Sequence, residues 1–191
     1  IRICLVGSEM CIRDRPAALS IPMRTRRFNW GYRAQPEPLL AGRQLDCPRG
    51  RGLGGSSAIN GMVYVRGHPQ DFDRWQSLVG ANAVDWSWAG VLPYFRRAEH
   101  CLDDIADPRY RGANGPLATT NGTLENPLHS AFLEACQQAG YAMSADLNGE
   151  RQEGFGTLPM TIRNGVRCST ARAYLGPVKG RPNLHVVTRS L

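Results

Sequence analysis

Apolar side chains recur at helical spacing in three stretches of the chain, and each stretch predicts an amphipathic helix. In the first, Phe72, Trp75 and Leu78 lie on one face, and Trp75 is expected in the core. Pro69 lies just before this pattern, and proline is favoured in the first turn of a helix. We therefore expect a helix that begins near Pro69 and continues to Leu78.

The second helix is expected to follow Ser87, whose hydroxyl group can accept a hydrogen bond from a free amide of the first turn. Its apolar side chains are Val91, Leu92 and Phe95. Pro93 lies inside this pattern and lacks an amide hydrogen, so it should kink the helix.

The third helix has the clearest pattern in the chain. Asn126 is expected to cap it, Pro127 to occupy its first position and Gly140 to end it. Cys136 lies on the apolar face, where it is expected to act as a small core residue.

Extended segments are predicted at three places. Phe28, Trp30 and Tyr32 alternate as the residues of a short strand do. The pair Asn164-Gly165 is a strong hairpin turn between two apolar runs. Residues 182–188 read as a final strand, whereas the many turn residues of 103–123 predict a loop. Ser169 and Thr170 are expected to cap a short helix over 171–175.

The most unusual pattern lies between residues 48 and 67. Its glycines are Gly50, Gly52, Gly54, Gly55, Gly61 and Gly67. Ser56 and Ser57 are expected to cap a short helix over 58–60, and amides at its start could bind a phosphate. A flexible linker would not continue directly into the apolar run 62–65, so a linker is disfavoured.

The net charge of +7 is concentrated at one end of the chain. Residues 1–51 hold ten arginines and four acidic residues, net +6, and the remaining residues contribute +1. A nucleic-acid-binding domain is therefore an alternative, but its charge would be expected to spread over a folded face. The six cysteines include no C-x-x-C pair, so free thiols are expected.

The segment 49–75 resembles the signature of the glucose–methanol–choline family of flavin oxidoreductases. Five further motifs are similar to the choline dehydrogenase branch of that family: residues 126–129, 137–141, 146–149, 152–156 and 169–175. Other alcohol dehydrogenases of the family share many of these motifs, so one of them is the alternative. Gly50, Gly52 and Gly55 also satisfy G-x-G-x-x-G, the dinucleotide-binding fingerprint of Rossmann folds. That interpretation is disfavoured because residues 43–48 form a poor buried strand.

The resemblance implies an α/β fold, namely a partial, Rossmann-like FAD-binding domain with part of an α+β substrate domain, truncated at both ends. Residues 1–15 look like a non-native leader and are expected to be disordered or loosely packed. Residues 16–115 are expected in the FAD-binding domain and 116–175 in the substrate or cap region. Residues 176–191 are expected to return to the FAD-binding domain.

The resemblance also implies the cofactor, FAD, and its contacts in this chain. These contacts are Gly52, Gly54, Gly55, Ser56, Asn60, Gly61, Met62 and Val63. The implied reaction oxidises the CH–OH group of a choline-like alcohol to the aldehyde, with an electron acceptor other than oxygen. Membrane association of the complete protein is compatible with the family, and neither a metal nor a nucleic acid is expected.

No catalytic residue is assigned in this chain. The family uses a histidine near its C-terminus as the base, which suits a proton transfer near neutral pH. His68, His100, His129 and His185 do not match that position. The resemblance therefore predicts that the 191-residue chain is inactive alone and binds FAD weakly or not at all.

Overall fold

The computed structural model describes residues 14–80, 84–104, 106–122 and 125–188. These residues form two compact units. The first unit contains residues 14–62 and 162–188, and the second unit contains the described residues of 63–161. The boundaries between the two units lie between residues 62 and 63 and between residues 161 and 162. The sequence analysis placed domain boundaries after residues 115 and 175. The functional labels given to those segments stay predictions.

The chain contains four α-helices and seven short strands among the described residues. The helices are α1 (Ser20–Arg24), α2 (Pro69–Val79), α3 (Trp88–Ala98) and α4 (Pro127–Gln138). The strands are β1 (Tyr32–Arg33), β2 (Asp46–Cys47), β3 (Glu99–Cys101), β4 (Leu117–Asn121), β5 (Pro159–Met160), β6 (Ile162–Arg163) and β7 (Val166–Arg167). Single turns of 3₁₀ helix occur at Pro16–Ala18, Pro38–Leu40, Gly55–Ala58 and Gly176–Val178, and a π-helical turn at Ala171–Leu175.

In the first unit an irregular arm pairs with the start of the glycine-rich segment. Strands β1 and β2 are antiparallel, and the pairing continues as a bridge between Asn29 and Gly50. Trp30 and Tyr32 stack with their rings 6.4 Å apart, although both remain partly exposed. The alternating aromatic residues thus predict a strand where the structure has a short paired ribbon.

The predicted hairpin is confirmed in the first unit. Strands β6 and β7 are antiparallel, with Arg163 opposite Val166. Asn164 has φ 51° and Gly165 has φ 68°, the left-handed values that a tight hairpin turn requires. This turn returns the chain so that Arg167 enters the interior of the unit, where its side chain is fully buried.

The second unit contains a three-stranded sheet and helices α2, α3 and α4. Strand β4 pairs parallel with β3 and antiparallel with β5. The prediction of a loop over 103–123 is therefore wrong at β4. This segment has many turn residues, and the strands that pair with β4 are distant in sequence, so no local pattern indicated a strand.

The predicted caps and starts of the long helices are confirmed. Proline occupies the first turn of α2 and α4, Ser87 Oγ accepts from the amide of Gly90, and Asn126 Oδ1 accepts from the amide of Leu128. His68 caps α2, which the sequence did not predict: its Nδ1 accepts from the amide of Gln70. Cys136 is buried as expected.

Two expectations about burial and extended structure are wrong. Trp75 is 50% exposed, because Phe72 takes the buried position and contacts Trp75, Trp88 and Phe95 with its ring. Residues 182–188 form no strand, since no described residue pairs with them in a ladder. A strand needs a hydrogen-bonded neighbour as well as an apolar pattern.

The supposed leader lies mostly outside the described residues. Its described end contains Asp14, which is buried and accepts a hydrogen bond from Arg172 Nε at 3.1 Å. Asp14 is thus packed into the first unit, although the sequence placed it in a loosely packed leader. Among the described residues, none of the helices combines the length and the apolar character that a membrane span requires.

Candidate functional site

The glycine-rich segment folds back on itself by direct backbone contact. A Cβ at Gly50 would lie 2.0 Å from the carbonyl oxygen of Gly55, so only glycine fits there. The amide of Gly50 donates to Ser56 Oγ at 3.1 Å, which holds the fold-back in place. Gly52, Gly54 and Gly55 have φ values of 117°, 86° and 52°, all in the region that favours glycine.

The short helix expected at residues 58–60 is wrong in position and in its cap. A single 3₁₀ turn spans Gly55–Ala58, with Gly54 as its cap and no capping side chain. Ser56 and Ser57 lie inside the turn, where their hydroxyl groups bond to other parts of the loop. The binding of a phosphate by backbone amides of this segment stays a prediction.

A second contact anchors the loop to the segment before the π-helical turn. Ser57 Oγ donates to the carbonyl of Gly54 and accepts from the amide of Thr170 at 3.0 Å. Thr170 Oγ1 lies 2.9 Å from Ser57 Oγ. A Cβ at Gly54 would also lie 3.1 Å from the Cβ of Ala171. Thr170 therefore holds residues 50–62, which we call the glycine loop, in place. The sequence predicted that Thr170 caps the following turn, but its side chain makes no capping hydrogen bond.

Beyond this turn, Arg167 of β7 fixes the conformation of Asn60. Its Nη1 donates to the carbonyl oxygen of Asn60 at 2.7 Å, to Asn60 Oδ1 at 2.7 Å and to the carbonyl oxygen of Ser57 at 3.2 Å. Asn60 Oδ1 also accepts from the amide of Met62 at 3.2 Å. Met62 is buried with φ 64°, a left-handed value that is strained for a side chain with a Cβ.

Two cavities open along this segment in the first unit. The smaller has a volume of about 360 Å³ and is lined by Arg49, Ser56, Asn60, Gly61 and three apolar neighbours. The larger, of about 950 Å³, is lined mainly by residues of the preceding arm, among them Arg24, Arg26 and Arg33. Both lie in the size range of small-molecule sites. A Cβ at Gly55 or Gly61 would meet no atom within 4 Å, so these glycines have open space before them.

The structure brings seven of the eight predicted contact residues into one loop of the first unit. They are Gly52, Gly54, Gly55, Ser56, Asn60, Gly61 and Met62. Val63 is the first residue of the second unit, where it is half exposed and bridges to Met160. The assignment of these residues to a cofactor stays a prediction.

The second unit contains a buried cluster of charged residues that the sequence analysis did not identify. Arg66 and Arg111 both donate to the carboxylate of Glu99, at 2.6 Å and 2.7 Å, and Arg111 also donates to Asp146 Oδ1 at 2.6 Å. Thr119 Oγ1 donates to Glu99 Oε1 at 2.7 Å. We call Arg66, Glu99, Arg111, Thr119 and Asp146 the charge cluster; its two positive and two negative charges balance.

The charge cluster keeps Glu99 ionised. Burial acts to raise the pKa of Glu99, but hydrogen bonds and the positive charge of Arg111, with smaller contributions from Thr119 and Arg66, outweigh it and lower the pKa. Burial would also lower the pKa of Arg111, yet Glu99 and Asp146 raise it. Most of their polar atoms bond to one another, which is typical of a structural network, although the buried Arg66 Nε and Asp146 Oδ2 have no hydrogen-bond partner among the described residues.

Three of the four histidines lie at or in secondary-structure elements of the second unit, and the expectation that none of the four is the base stays a prediction. His68 caps α2 and lies 3.9 Å from Glu153, His100 lies in β3, and His129 lies in α4. In the described part of the chain, no three histidine, cysteine or acidic residues could together hold a metal ion.

The family profile of GMC oxidoreductases matches residues 7–191, almost the whole sequence. The chain belongs to the GMC oxidoreductase family. This result confirms the predicted family and its fold, and it supports FAD as the cofactor of the family. The Rossmann-fingerprint interpretation finds no support, because the strand nearest to the glycines, β2, has two residues and is not buried.

A curated relative from Sinorhizobium fredii, an oxygen-dependent choline dehydrogenase, is 51% identical over 172 residues. The match covers 90% of this chain and 30% of the relative. The chain thus spans about 30% of the length of the curated relatives it matches.

Two solved structures share the fold. Pyridoxine 4-oxidase from Mesorbium loti superposes with a TM-score of 0.81 at 32% identity, covering 92% of this chain and 34% of that one. An FAD-dependent oxidoreductase from Chaetomium thermophilum superposes with a TM-score of 0.75 at 27% identity, covering 84% and 29%.

The glycine loop fits a flavin dinucleotide in two respects. Gly55 and Gly61 leave space that a side chain would fill, so a flat ligand can approach the backbone closely. In the described chain, no acceptor receives a hydrogen bond from the amides of Gly52, Leu53 or Gly54, so these donors remain for a ligand. Sequence reasoning missed the residues beneath the loop, Arg167 and Thr170; the motif at 169–175 marked their neighbourhood but not their contacts.

Proposed function

We propose that this chain forms the flavin-facing part of an FAD-dependent alcohol oxidoreductase that acts on choline or a similar small alcohol. The observation that carries the proposal is the 51% identity over 172 residues to a choline dehydrogenase. A match that covers 90% of this chain includes the positions of the glycine loop, of Arg167 and Thr170, and of the charge cluster. The proposed cofactor, when bound, accepts the hydride removed from the alcohol carbon.

The proposed cofactor contacts are those that the sequence predicted. Gly52, Gly54 and Gly55 provide close backbone approach, and their loop leaves free amide donors. Asn60 provides a side-chain amide, and Gly61 provides open space beside it. Such donors and gaps suit a ligand with many acceptor atoms and a flat ring system.

A second candidate is a GMC oxidoreductase for another alcohol. The observation that favours it is the TM-score of 0.81 to pyridoxine 4-oxidase at 32% identity, because this relative is named for a different alcohol. The electron acceptor also stays a prediction. The sequence analysis expects one other than oxygen, whereas the name of the Sinorhizobium fredii relative describes it as oxygen-dependent.

A chimera tests the proposal, because the chain spans about 30% of the relative. The matched 172-residue segment of the Sinorhizobium fredii enzyme is replaced by the corresponding residues of this chain. We expect the purified chimera to retain bound flavin, and anaerobic choline to bleach the flavin absorbance. A folded chimera that retains no flavin would contradict the proposal.

The same chimera separates the two candidates. Bleaching rates are measured with choline, pyridoxine and a simple aliphatic alcohol, with the unmodified relative as the reference. A preference for choline close to that of the reference supports the first candidate, whereas a shift of preference toward pyridoxine supports the second. Oxygen consumption and dye reduction during turnover then identify the acceptor.

A further inference from the structure

The carbonyl end of the Asn60 side chain is committed to the interior of the first unit. Asn60 Oδ1 accepts from Arg167 Nη1 at 2.7 Å and from the amide of Met62 at 3.2 Å. Both partners are donors, so the opposite orientation of the amide would place its NH₂ group against two other donors. The guanidinium of Arg167 therefore determines which end of the amide turns inward.

The other end of the same amide remains for a ligand. Asn60 is exposed and lines the cavity of about 360 Å³, and no described residue accepts from its Nδ2. Oδ1 and Nδ2 lie on opposite sides of a planar group. With Oδ1 held inward, the cavity is offered a hydrogen-bond donor and not an acceptor.

The burial of Arg167 has a free-energy cost, which suggests a role beyond packing. Its side chain is fully buried, and burial of a guanidinium is unfavourable unless its hydrogen bonds are made. One nitrogen of Arg167 contacts three oxygens of the segment 57–60, two of them on Asn60. Through Asn60 it also holds Met62 in its strained backbone conformation.

We propose that Arg167 is a positioning residue that orients the Asn60 amide so that Nδ2–H donates to an acceptor atom of the flavin ring system. This inference rests on the proposed function. A donor at an acceptor atom of the ring stabilises the negative charge that the flavin gains on reduction, and it therefore raises the reduction potential. The buried positive charge of Arg167 acts in the same direction.

The test measures the midpoint potential of the flavin bound to the chimera, not only its stability. Asn60→Asp keeps an acceptor for Arg167 and for the Met62 amide but removes the donor toward the cavity. Arg167→Met removes the positioning contact, and Arg167→Lys keeps one cationic nitrogen. Arg163→Met removes an arginine from the neighbouring strand β6 and serves as the matched control.

We expect Asn60→Asp and Arg167→Met each to weaken the preference for reduced over oxidised flavin about tenfold, or about 30 mV for a two-electron couple. Arg167→Lys should restore part of the loss, and the Asn60→Asp, Arg167→Met double variant should lose no more than the larger single effect. Arg163→Met should leave the potential unchanged.

The outcomes separate this inference from the proposed function. A chimera that holds no flavin contradicts the proposed function itself. A chimera that holds flavin and is bleached by choline, but whose potential is unchanged in both Asn60→Asp and Arg167→Met, contradicts this inference alone. If Arg167→Met lowers flavin occupancy by unfolding the loop, Asn60→Asp, which keeps an acceptor for Arg167, decides the matter.

Discussion

The glycine loop of the first unit and the charge cluster of the second unit use polar groups in opposite ways. In the charge cluster, Arg66, Glu99 and Arg111 are buried and bond mainly to one another. In the glycine loop, the polar contacts of Ser57, Asn60 and Thr170 hold the backbone in place, while three amides of the loop donate to no described acceptor. Buried polar groups that bond mainly to one another are typical of a structural scaffold. A backbone that is held in place while some of its amides have no acceptor is typical of a binding site.

Removal of the central carboxylate should have the largest effect on stability. Glu99→Gln would leave the buried Arg66 without its carboxylate and Arg111 with Asp146 alone, and loss of one member of a buried pair lowers the free energy of unfolding by about 3–5 kcal/mol. Urea denaturation of the chimera would measure it. Glu153→Gln, at an exposed carboxylate 3.9 Å from His68, is the control and should change stability by less than about 0.5 kcal/mol. Equal effects of the two variants would contradict the scaffold role.

The charge cluster should also make stability depend on pH. The pKa of Glu99 is lower in the folded state than in the unfolded chain, so the unfolded state binds the proton more readily. Its contribution is therefore complete above the unfolded pKa and is lost as pH falls through the folded pKa. In urea denaturation at decreasing pH, the free energy of unfolding should fall less in Glu99→Gln than in the chimera with Glu99. Parallel curves for the two proteins would show that Glu99 is not the responsible group.

A side chain at Gly50 should have the next largest effect. In Gly50→Ala the new Cβ would meet the carbonyl oxygen of Gly55 at 2.0 Å, backbone against backbone. Overpacking of this kind destabilises by about 1–3 kcal/mol, and here it would also open the loop. We expect flavin occupancy and the free energy of unfolding to fall together. Normal occupancy in this variant would show that the fold-back of the loop is not needed for the ligand.

The hydroxyl contact beneath the loop should have a smaller effect. Thr170→Val keeps the shape of the side chain and removes Oγ1, which lies 2.9 Å from Ser57 Oγ. The expected loss of stability is about 1 kcal/mol, the usual value for one hydrogen bond. Ser57→Ala should lose more, because it also removes the contacts of Ser57 Oγ with the Gly54 carbonyl and the Thr170 amide. The double variant should lose less than the sum, because both changes remove the contact between the two hydroxyl groups. Full additivity would mean that the two hydroxyl groups act independently.

Local sequence rules predicted the helices and the hairpin, because caps, prolines and Asn164-Gly165 act within a few residues. They did not predict β4 or the contacts of Glu99, since pairing partners distant in sequence leave no local pattern. The same limit applies to the site. The glycines could be recognised as a segment, but Asn60 meets Arg167 across 107 positions, and only the fold brings them together. Trp75 shows a further limit, because spacing identifies an apolar face but not the residue that becomes buried.

The most direct test of the central claim, that the glycine loop faces a flavin, is the flavin occupancy of Gly61 variants. A Cβ at Gly61 meets no atom within 4 Å, so Gly61→Ala and Gly61→Leu should leave the free energy of unfolding of the flavin-free protein almost unchanged. The account predicts that the ratio of bound flavin to protein falls from glycine to alanine to leucine. Full occupancy with leucine at this position would contradict it.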